Sequence, residues 1–135
     1  MSDSEENLDA ELLHGVTINN LALVKERLAQ STNKLDRAIA LEWAADKGRL
    51  DIVKELISQG ADPNSRSALA WAARNGHLEV VKHLVSVGAD PKADDSQALR
   101  WAEEEGRTEV VKFLELWEKD DALFKVIREG LVVKP

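Results

Sequence analysis

Leu78, Val81, Leu84 and Val85 are separated by three, three and one positions, with Glu79, Lys82 and His83 among them. That spacing gathers the apolar residues on one face of a helix and leaves the charges on the other. Leu50, Ile52, Val53, Leu56 and Ile57 make a second helix of this kind, and Gly106–Leu116, GRTEVVKFLEL, continues the pattern. A shorter apolar phrase precedes each one: Leu41-Glu42-Trp43-Ala44-Ala45, Leu69-Ala70-Trp71-Ala72-Ala73 and Leu99-Arg100-Trp101-Ala102-Glu103. Leu69, Ala72 and Ala73 lie at i, i+3 and i+4, one face of a short helix, and the alanines let a neighbouring helix approach closely. Gly76 ends this helix, Gly88 ends the next, and Ala89-Asp90-Pro91 turns the chain because proline cannot continue a helix. The unit is helix, tight turn, helix, loop.

The unit recurs. Trp43, Trp71 and Trp101 are 28 and 30 residues apart. The stretch from Trp to closing glycine is 17 residues in both Trp43–Gly60 and Trp71–Gly88, whereas the connectors Gly60–Trp71 and Gly88–Trp101 span 11 and 13. The constant stretch is predicted to be the packed unit and the variable one loop. Two helices of about ten residues are marginal alone, so such units bury their apolar edges by stacking. A weaker unit precedes them: Leu21–Leu28 aligns with Leu50–Ile57, Asn19 stands for the turn glycine, Ser31 for the closing one, His14 for the tryptophan and Arg27 for a buried leucine. Its wetter face suits an N-terminal cap. At the other end Asp121–Gly130 reads as a truncated fifth unit, a capping helix with an apolar tail, Leu131-Val132-Val133, folded back onto unit four. The organisation expected is an acidic flexible segment at 1–7, repeats at 8–130 (units near 8–33, 36–64, 67–92 and 96–118, cap 120–130) and a tail at 131–135.

Composition narrows the functions. Apolar residues make up 44% of the chain but aromatics only 4%, which suits thin layers of Ala, Leu and Val. There is no cysteine, hence no disulfide framework and no thiolate zinc site. No run approaches the roughly 18 apolar residues of a membrane span, and the acidic MSDSEENLDAELL lacks signal-peptide character, so the expectation is a cytoplasmic protein without membrane contact. The net charge of −7 and the scattered single Lys and Arg residues argue against direct binding of nucleic acid. They favour basic protein partners instead.

The phrase Ala-Ala-x-x-Gly-His-Leu-x-Val-Val-Lys-x-Leu-Val-x-x-Gly-Ala-Asp, Ala72 to Asp90, strongly resembles the ankyrin repeat, and the resemblance extends over about Leu8–Gly130. It implies an all-α solenoid of about four stacked helix-turn-helix units plus a C-terminal capping helix. The family period is about 33, with a helix-start phrase T-P-L-H-x-A. Here that phrase reads Ser67-Ala68-Leu69-Ala70-Trp71-Ala72 and the period is shorter. The loss falls on the segment that forms a β-hairpin finger in the family, so little or no hairpin is expected. Short-fingered repeats of this type resemble those of large viruses and intracellular parasites, which suggests a host–pathogen setting.

Periodic Trp43, Trp71 and Trp101 are predicted to be structural, each lying over its own helix pair in the space left by the missing finger. Trp117 is expected to pack on the cap helix. Gly48, Gly76 and Gly106 are turn positions, and His77, by resemblance, hydrogen-bonds the turn. His14, His77 and His83 are not at metal-ligand spacing. No cofactor and no catalytic constellation is indicated, neither a phosphate loop nor a nucleophile elbow, so the chain does not read as an enzyme. In the family, residues just before the turn glycine line the concave surface and contact partners. Here these are Asp46, Lys47, Arg74, Asn75, Glu104 and Glu105, with Glu42, Ala70 and Arg100 nearby and Asn64, Arg66, Asp94 and Asp95 on the rim. Asp51/Lys54, Glu79/Lys82 and Glu109/Lys112 are solvated i, i+3 pairs.

The main expectation is therefore a module that binds or masks another protein through its concave helical face and loop rim. The alternative is an acidic inhibitor of a nucleic-acid-processing protein, acting by carboxylate mimicry through Asp94, Asp95, Glu103, Glu104, Glu105 and the N-terminus. Self-association of the stack through its last unit is a third expectation.

Overall fold

The computed structural model describes residues 10–30 and 34–119; the predicted acidic segment, Ser31, the capping helix and the tail lie outside them. Among the described residues eight α-helices follow one another in pairs: α1 Ala10–Thr17, α2 Leu21–Gln30, α3 Lys34–Lys47, α4 Leu50–Ser58, α5 Ala68–Arg74, α6 Leu78–Ser86, α7 Ala93–Glu104 and α8 Thr108–Lys119. No strand occurs among the described residues. The first helices α1, α3, α5 and α7 form one layer and the second helices the other. Helix α3 is twice as long as α5, at 14 residues against 7, and begins well before the Trp-Ala phrase.

The two layers have different cores. From α3 onward the first helices bury mostly alanine: Ala40, Ala44 and Ala45, then Ala68, Ala70, Ala72 and Ala73, then Ala98 and Ala102, whereas α1 buries Leu12, Leu13 and Val16. The second helices bury larger residues, Ile52, Val53 and Leu56 followed by Val80, Val81, Leu84 and Val85. Small side chains let helix axes approach, and the backbones of the first helices run closer to one another than those of the second helices do.

The connectors are turns. Asp62 Oδ1 accepts the Asn64 N–H at 2.9 Å, and Asp90 Oδ1 accepts the Lys92 N–H at 2.9 Å, so each Asp-Pro opens an Asx turn. A short 3-10 turn, Ser65–Ser67, then leads into α5. In place of paired fingers, one side chain joins successive connectors: Asn64 Nδ2 donates to Gly88 O at 3.1 Å, and its Oδ1 accepts the Asp90 N–H at 2.7 Å.

The units are also coupled where each first helix ends. Asn19, Gly48, Gly76 and Gly106 all have positive φ, 59°, 72°, 75° and 70°. At each, the turn N–H groups close on two carbonyls of the last helical turn, as when Gly76 N donates to Ala73 O at 3.1 Å and His77 N to Ala72 O at 3.0 Å. That closure leaves unmet the carbonyl two residues before the turn residue. The side chain after the next unit's turn glycine takes it. Arg49 Nη2 donates to Thr17 O at 3.0 Å, His77 Nε2 to Asp46 O at 2.9 Å, and Arg107 Nε to Arg74 O at 2.9 Å. A carbonyl can only accept, so the His77 proton resides on Nε2. The arginine charges also complement the negative end of the helix they reach.

Arg49 and His77 occupy the N-cap positions of α4 and α6 and make no side-chain cap there. In the first unit Asn20 does cap its own helix, accepting the Leu23 N–H at 3.0 Å. Arg27, the predicted wet substitution, is half-buried and pairs with Glu11 at 3.2 Å. Of the three predicted second-helix pairs, Glu79–Lys82 and Glu109–Lys112 form, at 3.8 and 3.7 Å with exposed partners. They contribute little.

The close approach explains the turn glycines beyond their φ. A Cβ on Gly48 would lie 2.5 Å from the His77 ring, and one on Gly76 would lie 2.9 Å from Arg107 Cδ. Gly48→Ala is expected to cost about 3 kcal/mol alone but only about 1–2 kcal/mol when His77 is already Ala, the residue being left-handed backbone strain. Urea midpoints of the four proteins in this double-mutant cycle check it; equal costs in both backgrounds would assign the whole penalty to φ.

His83 on α6 gives a second expectation. Burial, and then the Lys54 charge on α4, hold its pKa below the ordinary 6.5. The folded state therefore prefers neutral imidazole, while the unfolded chain takes up a proton as pH falls through about 6.5. Stability from this group is full above that pH and is lost as pH drops toward the folded pKa. Between pH 7.5 and 5.5 the urea midpoint should fall more for the wild type than for His83→Gln.

Candidate functional site

The residues before each turn glycine lie at the ends of α3, α5 and α7, side by side on the face of the first helices. The positions two before the glycine are Asp46, Arg74 and Glu104, and those one before are Lys47, Asn75 and Glu105. Lys47, Arg74, Glu104 and Glu105 are exposed, and Asp46 and Asn75 are partly buried.

Several predicted contact residues prove to be occupied within the stack. Asn75 Nδ2 donates to Asp46 O at 3.1 Å, to the Asp46 carboxylate, and to Trp71 O at 3.1 Å. Asp46 and Asn75 are therefore a joint between units two and three. Arg100 turns back on its own connector, donating from Nε to Asp95 O and from Nη2 to Asp94 O, both at 3.0 Å. It braces an unusual segment: Asp94, Asp95 and Ser96 have φ of 54°, 60° and 58°, three successive left-handed residues inside α7. Each such non-glycine residue costs roughly 1–2 kcal/mol. This segment lies in the longer connector, so the extra length is absorbed there. Asp94 and Asp95 are exposed on the rim. Glu42 is partly buried, and Ala70, expected near the surface, is only 4% exposed because it packs into the alanine layer. The Arg66 side chain lies outside the described residues.

Trp71 and Trp101 meet across the boundary between units, with centroids 5.1 Å apart and planes at 70°. Edge-to-face contact is the favoured geometry for such a pair. The Arg74 guanidinium lies over both rings, 5.6 Å from the Trp71 centroid and 5.4 Å from that of Trp101. Glu105 Oε2 approaches Arg74 Nε at 3.8 Å, and the two side chains are 44% and 43% exposed. Trp43, at the same position in unit two, is exposed. Trp117 is buried; its predicted partner, the cap helix, lies outside the described residues.

Arg74, Trp71, Trp101 and Glu105, separate along the sequence, form one cluster in the fold. The signal was present in the register: residues one before a turn glycine meet residues two before the preceding one, as Asn75 meets Asp46 and Glu105 meets Arg74.

Among the described residues, no group of three or more His, Asp or Glu is placed to hold a metal ion. No helix among them is long and apolar enough to cross a membrane. A small cavity at the connectors is lined by Asn64, Ser67, Asp90, Asp94 and Gln97 among others.

A comparison with curated proteins gives no significant match. A family model of ankyrin repeats, three copies, matches residues 41–122, more than half of the chain. The match spans the three units that share the Trp-Ala phrase, the positive-φ turn and the cross-unit carbonyl contact. With the paired helices and their alanine layer, it shows that the chain belongs to the ankyrin-repeat family.

Proposed function

We propose that this protein binds or masks a partner protein on the face of its first helices, with the connectors as the rim. Ankyrin repeats are generally protein–protein interaction modules. The observation that carries the reading is the contrast between layers. Behind the turn glycines units two to four repeat the same small and aliphatic residues, whereas on the first-helix face the rungs read Asp46, Arg74, Glu104 and Lys47, Asn75, Glu105. Exposed Trp43 and the half-exposed Arg74 stacked on two indoles offer the aromatic and arginine chemistry that dominates interface energetics. The second-helix face carries the solvated pairs Glu79–Lys82 and Glu109–Lys112, with Leu116 of α8 exposed beside them.

The test is capture of a partner from cell lysate by the full chain, identified by mass spectrometry and measured again with purified partner. Trp43→Ala with Arg74→Ala should weaken binding at least about tenfold, while Lys82→Ala with Lys112→Ala on the opposite face leaves it unchanged. Release by the second pair and not by the first would move the interface to the second helices.

A further inference from the structure

The geometry points to Arg74 as a pre-organised receptor for a carboxylate of the partner, gated by the chain's own Glu105. The inference rests on the first-helix face being the binding surface and adds the chemistry of its central contact.

Three features support it. First, Arg74 is held at both ends. Its carbonyl accepts from Arg107 Nε at 2.9 Å, and its guanidinium lies over Trp71 and Trp101. An arginine placed this way loses less freedom on binding, and its planar fork matches a carboxylate with two parallel hydrogen bonds. Second, Glu105 approaches Nε at 3.8 Å, beyond hydrogen-bond distance, and both side chains are nearly half exposed. Such a pair is weak, so a better-placed anion can displace it. Third, Arg74 is the cation of its rung. The equivalent residues are Asp46 in unit two, whose carboxylate is taken by Asn75, and Glu104 in unit four. An acidic partner residue is attracted to unit three and repelled by the neighbouring carboxylate of unit four, which sets the register of the partner along the stack.

Glu105 then has a definable role. It neutralises Arg74 in the free protein and competes with the incoming carboxylate. Removing its charge should strengthen binding, which loss of folding cannot imitate. A partner anchored by a cation would behave in the opposite way, since Glu105 would attract it and Arg74 would repel it.

The experiment uses a random dodecapeptide library selected on the full chain, with the enriched peptides synthesised as probes and affinities read from tryptophan fluorescence. Enriched peptides are expected to share an Asp or Glu whose replacement by Asn or Gln weakens binding about tenfold. Arg74→Ala should cause a loss of similar size, and Arg74→Lys should recover only part of it. Glu105→Gln should tighten binding about threefold or more. Peptides anchored by Lys or Arg that weaken with Glu105→Gln would overturn the proposal. If Trp43→Ala abolishes binding while Arg74→Ala and Glu105→Gln leave it unchanged, the carboxylate receptor falls and the first-helix face stands. If all three leave it unchanged, both fall.

Discussion

The stack depends on one recurring problem, the last unmet carbonyl of each first helix. A short helix followed by a left-handed turn satisfies two of its terminal carbonyls from its own backbone and leaves Thr17 O, Asp46 O or Arg74 O without an intra-unit donor. The next unit supplies it through Arg49, His77 or Arg107. Burial of aliphatic side chains provides most of the driving force, but it is non-directional and would allow neighbouring units to slide. A hydrogen bond to one named carbonyl does not. It sets the rotation and offset of each unit on the preceding one, and the turn glycine is what lets the donor come close enough.

The same contact connects the fold to the candidate site. Arg107 anchors the Arg74 backbone while Trp71 and Trp101 hold its side chain, so stacking of units three and four is also what orients the exposed cation. Asn75 does equivalent work one boundary earlier by tying Asp46 down. Of the polar residues on this face, some are therefore joints and others are offered to solvent. Arg100 belongs with the joints, since it braces the left-handed run at Asp94–Ser96.

Loss of the β-hairpin finger has a local replacement. The connectors after Gly60 and Gly88 each open on an Asx turn at Asp-Pro, and Asn64 links the first to the second by donating to one backbone group and accepting from another. A single bidentate amide does between short connectors what paired strands would do between long ones.

Helix pairs, turn glycines, the absence of a hairpin and the substitution of Asn19 for glycine were all legible in the sequence, because they follow from local periodicity and from backbone sterics within a few residues. The charged rungs before each glycine could also be named there. Their division into joints and exposed groups could not, since Asn75 and Asp46 are 29 residues apart and Arg107 and Arg74 are 33 apart. The tryptophans show the same limit: their period announced a repeated role, and only the packing of α5 against α7 showed that the role is shared between units. Sequence by itself determined the unit, because a unit is closed by neighbours along the chain. Tertiary structure decided the interface between units and the chemistry left exposed on it, because those depend on which side chains one whole period apart arrive at the same carbonyl or the same ring.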